Sequence, residues 1–252
     1  MEQSPPEATQ PHFRRGEMLL VHNIFRREFA LMPGLVRRAP DGDHTRAHVI
    51  ADHITAMTNF LHAHHVLEDD NVWPLLLERC GESVASLVAL MESQHHQLAT
   101  LIPQIEAAAS IWSNNPTPTS QQTLVDLLDR VTPALKEHLA AEESSVVPLM
   151  EQHITAAEWV GFLKSESRAI DAEHAPLILG MMMYEGDSES IEQVIAAIFS
   201  DIDPTIEGLA ASTFAAHSQK IHGTATPPRG AELSTAKDAL DSAHQAKSQQ
   251  ST

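Results

Sequence analysis

Two stretches of this chain set a histidine and a glutamate four residues apart and then follow them with a proline. In HAHHVLEDDNVWPLL the pair is His64 and Glu68, and Pro74 follows the acid by six residues. In EHLAAEESSVVPLM the pair is His138 and Glu142, and Pro148 again follows by six. Each proline precedes two apolar residues, Leu75-Leu76 and Leu149-Met150, and the two copies are offset by 74 residues. Upstream, His22 precedes His64 by 42 residues and His95 precedes His138 by 43. The chain reads as two copies of one unit: a histidine on one helix, then H-x-x-x-E on the next.

This spacing carries a chemistry. Positions i and i+4 share a helix face, about 5–6 Å apart at Cβ, so each His-Glu pair can reach one ion together. A single pair of this kind is commonly a surface contact worth a few tenths of a kcal/mol. A surface pair has no reason to recur at a fixed offset with the same trailing proline and a matching upstream histidine. Each pair also continues an apolar stripe, so it points inward, where a carboxylate is costly without a cation. His22, His64, Glu68, His95, His138 and Glu142 together offer four imidazoles and two carboxylates. In a helical bundle that set makes a dinuclear site, with carboxylates able to bridge two ions. Imidazole with carboxylate suits iron, manganese or zinc, and no thiolate is at hand to favour a zinc–sulfur site.

The elements that must position these residues are helical. Leu19, Leu20, His22, Ile24, Phe25 and Phe29 mark a first helix that starts near His12 and is expected to break at Met32-Pro33-Gly34. Asp43 reads as the cap of a second helix that runs through Ile54, Phe60 and His64 to about Glu78, with a kink or break expected at Pro74. A third helix carries Leu87, Met91, His95, Leu98 and Ile105. SNNPTPTSQ, residues 113–121, is the clearest internal loop. A fourth helix carries Leu124, Leu128, Leu135, His138 and Glu142, with Pro133 a second expected kink. Short connections make neighbours antiparallel, so the fold expected for residues 12–153 is an all-α, up-down-up-down four-helix bundle. Thr155-Ala-Ala-Glu158 is a capping box that opens a C-terminal helical extension, residues 154–223. That extension reads as three or four short helices divided near Glu185-Gly186-Asp187 and Asp203-Pro204. Residues 1–11 and 224–252 are polar and expected to be disordered.

Composition narrows the class. Aromatics are only 4% of the 252 residues, which favours helix over sheet. A formal charge of −18 argues against nucleic acid or an anionic membrane as partner, since both repel it. One cysteine, Cys80, allows no intrachain disulfide. No apolar run reaches transmembrane length, and the N-terminus lacks the apolar stretch of a signal peptide, so a cytoplasmic protein is expected. The 16 histidines equal the lysines and arginines together, which points again to metal.

At the His22 helix, HHVLEDDNVWPLL, ESQHHQL and EHLAAEESSVVPL, the sequence resembles the hemerythrin-like, HHE cation-binding family over about residues 12–153. LGMMMYEG and FAAHSQKIHG resemble, more weakly, the C-terminal extension of longer bacterial members. The resemblance implies a four-helix bundle around two non-haem iron ions held by His22, His64, Glu68, His95, His138 and Glu142, with Glu68 and Glu142 as bridges. It favours His95 over His96, because members place leucine three residues after the ligand and Leu98 fits. Oxygen-carrying members have H-x-x-x-H on the third helix, where this chain has Ala99 in the second position. They also end on an aspartate one residue further from its histidine than Glu142. The five-histidine site is therefore not intact, and an extra position is open to water, His65, His96, Glu143, His174 or Tyr184. An open iron implies reaction with peroxide, oxygen or nitric oxide more than reversible oxygen carriage. The expected role is binding or turnover of these small molecules in stress response or sensing. Iron or zinc storage without chemistry, and a metal-independent helical interaction module, are the competing readings. Of the other histidines, His44, His48, His53 and His62 are expected to be mostly solvated. Asp69, Asp70 and Glu143 are expected to hydrogen-bond ligands or to face solvent.

Overall fold

The computed structural model describes residues 11–167, 175–198 and 206–233. Four long helices ring the core: α1 (Arg15–Arg38), α2 (His44–Leu67), α4 (Ala85–Asn114) and α5 (Pro118–Ser145). α1 packs on α2 and α5, and α4 packs on the same two. The short α3 (Trp73–Cys80) follows α2, and α6 (Val147–His153) follows α5. The extension comprises α7 (Ala156–Ser167), α8 (Ala175–Glu185), α9 (Ser188–Ile198) and α10 (Ile206–His222). Among the described residues there is no strand, only an isolated bridge between His12 and Thr155. No described helix is long and apolar enough to cross a membrane.

The prolines act differently from one another. Met32-Pro33-Gly34 does not break α1, which continues to Arg38. Pro33 lacks the N–H that would bond to Phe29 O, and the Thr132 hydroxyl of α5 lies 3.0 Å from that carbonyl while also reaching Leu128 O at 2.7 Å. Met32 before the proline and Leu35 and Val36 beyond it are buried, so packing holds the helix together. α5 likewise continues past Pro133 without a break. At Pro74 the expected kink or break takes the form of a π-turn within a continuous helical path. Residues Glu68–Val72 form it, with Trp73 N–H bonding back to Glu68 O, and α3 follows directly with Pro74 in its first turn. In the second copy α5 stops at Ser145, and Pro148 sits in the first turn of α6. In each copy the regular α-helix gives way close to its glutamate, at Leu67 just before Glu68 and at Ser145 just after Glu142. The loop expected over 113–121 is shorter than that: α4 reaches Asn114 and α5 opens at Pro118, capped by Thr117.

Two apolar clusters result. The larger one holds Phe25, Phe29, Ile54, Leu61, Leu98, Leu135 and Leu139. The smaller holds Leu67, Trp73, Met91, Val146, Met150 and Trp159. The repeated motifs lie between them along the chain, with Leu61 and Leu67 on either side of His64 in α2 and Leu139 and Val146 on either side of Glu142.

The capping box forms as read: Thr155 N–H bonds to Glu158 Oε2 at 2.9 Å, and Glu158 N–H bonds to Thr155 Oγ1 at 3.3 Å. α8 and α10 pack closely, and a Cβ on Gly180 would collide with the carbonyl oxygen of Ala210. The division at Glu185-Gly186-Asp187 is present, whereas Asp203-Pro204 lies outside the described residues. Residues 224–233, expected to belong to a disordered tail, instead lie on the helices. Tyr184 donates to Pro227 O at 2.6 Å, and Gly230 N–H bonds to Glu185 Oε2 at 3.0 Å. Residues 1–10 and 234–252 lie outside the described residues.

Candidate metal centre

Four helices each bring their inward histidine to one place. His22 comes from α1, His64 and His65 from the end of α2, His95 from α4 and His138 from α5. Glu142 lies one turn beyond His138, and Glu68 opens the π-turn after α2. His22, His138, Glu68 and Glu142 are 0% exposed.

The ring nitrogens and carboxylate oxygens face one another at separations suited to a shared ion. His22 Nε2 is 3.4 Å from Glu142 Oε2, and His138 Nε2 is 3.6 Å from the same oxygen. His64 Nε2 is 3.2 Å from Glu68 Oε1, and His95 Nε2 is 3.5 Å from Glu68 Oε2. Ligands about 2.0–2.1 Å from a tetrahedral ion would stand about 3.3 Å apart. One group of four, His22, His64, Glu68 and Glu142, has donor atoms within 4.8 Å of one another, and so does a second group, His65, His95 and His138. Glu68 reaches toward both groups, one oxygen to each, which is the geometry of a bridge.

Hydrogen bonding marks the inner face. The Nε2 atoms of His22, His64, His65, His95 and His138, and both oxygens of Glu142, are buried without a hydrogen bond. Such a set is expensive to keep in a fold unless a cation completes it. The residues therefore fit a metal centre.

The outer nitrogens are engaged. His22 Nδ1 lies 2.7 Å from Glu143 Oε1, which also accepts from Arg26 at 2.7 Å. His95 Nδ1 lies 2.8 Å from Asp69 Oδ1, which also accepts from Trp73 Nε1 at 2.8 Å. A carboxylate can only accept, so Nδ1 donates in both rings and Nε2 is the nitrogen left facing inward. His138 Nδ1 faces Gln94 Oε1 at 3.3 Å.

Electrostatics prepare the same atoms. Burial holds His64 well below the usual imidazole range, and its neighbour His22 adds to the effect. Burial also lowers His138 to about 4. Both rings are thus neutral at physiological pH, the form that binds metal. Burial alone would push Glu142 up, but His22, His64 and His138 outweigh it and keep the carboxylate ionised. Burial likewise opposes charge on His22, and Glu142 with Glu143 reverses that and raises it.

All six residues singled out from the repeat meet at this centre. The open candidates separate: His65 is buried and stacks on His95, with centroids 4.0 Å apart. His96 is exposed, Glu143 binds the outer nitrogen of His22, and Tyr184 is engaged with Pro227. His174 lies outside the described residues. Asp69 and Glu143 are hydrogen-bond partners of ligand rings, as expected, and Asp70 is exposed. His44, His48 and His62 are exposed, but His53, expected among the solvated ones, is buried at 2%.

The family model for the hemerythrin HHE cation binding domain matches residues 15–150. Comparison with curated proteins and with solved structures gave no match. The match covers all six residues of the repeat and stops short of the extension.

Proposed function

The chain belongs to the hemerythrin HHE cation-binding domain family, and from that membership we propose a non-haem di-iron protein that binds or reacts with a small oxidant or diatomic gas. The observation that carries the reading is the convergence of five inward Nε2 atoms and the Glu142 carboxylate without hydrogen bonds. His22, His64, Glu68 and Glu142 would hold one ion and His95 and His138 the other, with Glu68 and Glu142 shared. Two iron ions there would supply redox and Lewis-acid chemistry toward peroxide, oxygen or nitric oxide.

The chain's own residues define what reaches them. Asp69 and Glu143 fix the tautomers of His95 and His22. His65 stacks on His95 with its Nε2 unengaged, and it stands as a further imidazole donor where Ala99 provides none. An apolar cavity of about 50 Å³ touches His64 between Met18, Phe60 and Leu67 of the bundle and Trp159, Leu163 and Met182 of the extension. Its size suits a diatomic or peroxide-sized molecule. Because the extension forms one wall, a sensing role, in which the centre's state alters the packing of α7 and α8, has a physical route.

The test is metal content with ultraviolet-visible spectroscopy on chain expressed with iron and purified without a histidine tag. About two irons per chain and near-ultraviolet charge-transfer absorption that changes on adding peroxide or nitric oxide support the reading. His64→Ala and Glu142→Ala should each abolish the absorption. A fully folded, metal-free chain indifferent to added iron would overturn it.

A further inference from the structure

A second set of buried ionisable groups joins α1, α2 and α10, outside the six-residue centre. Glu28 Oε2 lies 3.0 Å from His53 Nε2 and 3.0 Å from His222 Nε2. Its other oxygen accepts from Arg27 Nε at 2.7 Å. His53 Nδ1 lies 3.1 Å from His217 Nε2. Arg27 also pairs with Glu185, whose second oxygen takes the Gly230 N–H. The side chains of Arg27, Glu28, His53 and Glu185 are 0% exposed, and that of His222 is 5% exposed.

One oxygen of the buried Glu28 is taken by Arg27, while the other faces two imidazole nitrogens from two further helices, an arrangement in which the three atoms can share a cation. Three donor atoms from three helices stand ready for one: Glu28, His53 and His222 offer atoms within 4.8 Å of one another. Their 3.0 Å pair separations are close to those of ligands sharing an ion at about 2.0–2.1 Å. The supports behind the donors are also those of a metal site: His217 stands behind the His53 ring, and Arg27 holds the second Glu28 oxygen.

We propose that Glu28, His53 and His222 form a separate site for one divalent transition cation of the zinc type, which ties α10 to the bundle. Two imidazoles and one carboxylate match zinc's preferred donors and leave a fourth position for water. The site is independent of the di-iron reading, since it shares no residue with that centre.

The experiment is zinc loading of the stripped full-length chain, followed by gel filtration, elemental analysis and zinc-edge anomalous diffraction from crystals. The wild type should hold one zinc more than His222→Ala, and His64→Ala should keep this ion. An anomalous peak should lie within bonding reach of Glu28, His53 and His222. Thermal melting should add a check: zinc should stabilise the His64→Ala chain but not the His64→Ala/His222→Ala chain. An unchanged zinc count in a folded His222→Ala, or anomalous peaks in the bundle centre with none at Glu28, would overturn the proposal. The wild-type diffraction result decides the matter even if a variant fails to fold. A filled Glu28 site beside a bundle centre that stays empty after separate loading with iron would overturn the di-iron reading alone.

Discussion

Asp69 Oδ1 lies 2.8 Å from His95 Nδ1, one residue past the glutamate whose own oxygen faces His95 Nε2 at 3.5 Å. The π-turn makes this possible, because it lets successive acids, Glu68 and Asp69, address the two nitrogens of one ring. Asp69→Ala should lower metal affinity by about 10- to 100-fold, the usual cost of losing a partner behind a ligand. Trp73→Phe removes the other hydrogen bond to Asp69 without freeing His95. It should cost stability on the order of 1 kcal/mol and leave affinity within a few-fold. Competitive chelator titration and denaturant unfolding of both variants check the pair of expectations.

Removing metal should weaken the fold. Ligands that bind only the native state stabilise it by about 4 kcal/mol at 1,000 times Kd. For a chain of this size that corresponds to roughly 8–16 °C in Tm. A calorimetric scan before and after chelation should show such a drop, with iron restoring it. His64→Ala/His222→Ala, which lacks a ligand of each site, should melt at the same temperature with and without chelator.

Gly180→Ala should loosen α8 from α10, since the added methyl meets the Ala210 carbonyl and the Phe214 Cβ. Overpacking of this kind costs about 1–3 kcal/mol. Limited proteolysis should then cut within residues 175–233 sooner than in wild type, while the iron absorption of the bundle persists.

Acid should weaken the joint between α3 and α7. Hydrogen bonds from Arg79 hold Glu158 down to about 2, below its ordinary 4.5. A depressed carboxylate contributes its stability above the unfolded value and loses it as pH falls through the folded one. The contribution of Glu158 is therefore whole above about pH 4.5 and gone by about pH 2. The pair is partly solvated, so its worth is less than about 1 kcal/mol. The difference in urea midpoint between wild type and Glu158→Gln should be constant from pH 7 to pH 5 and shrink below that.

What the sequence determined by itself was periodic or repeated. H-x-x-x-E at a 74-residue offset and the two upstream histidines named the six residues of the centre, because i and i+4 share a helix face whatever surrounds them. The capping box at Thr155 was equally local. What tertiary structure decided were interactions between residues far apart in the chain. Pro33 reads as a breaker, and the Thr132 hydroxyl on another helix answers the carbonyl it leaves open. His65 and His96 look alike in sequence, and the packing of α2 against α4 buries the first and exposes the second. His53 joins Glu28 and His222 across separations of 25 and 169 residues, on three helices whose contact no local pattern encodes. A helix period tells which face of one helix is wet or dry. It does not tell which other helix lies against that face, and that pairing created the Glu28 cluster.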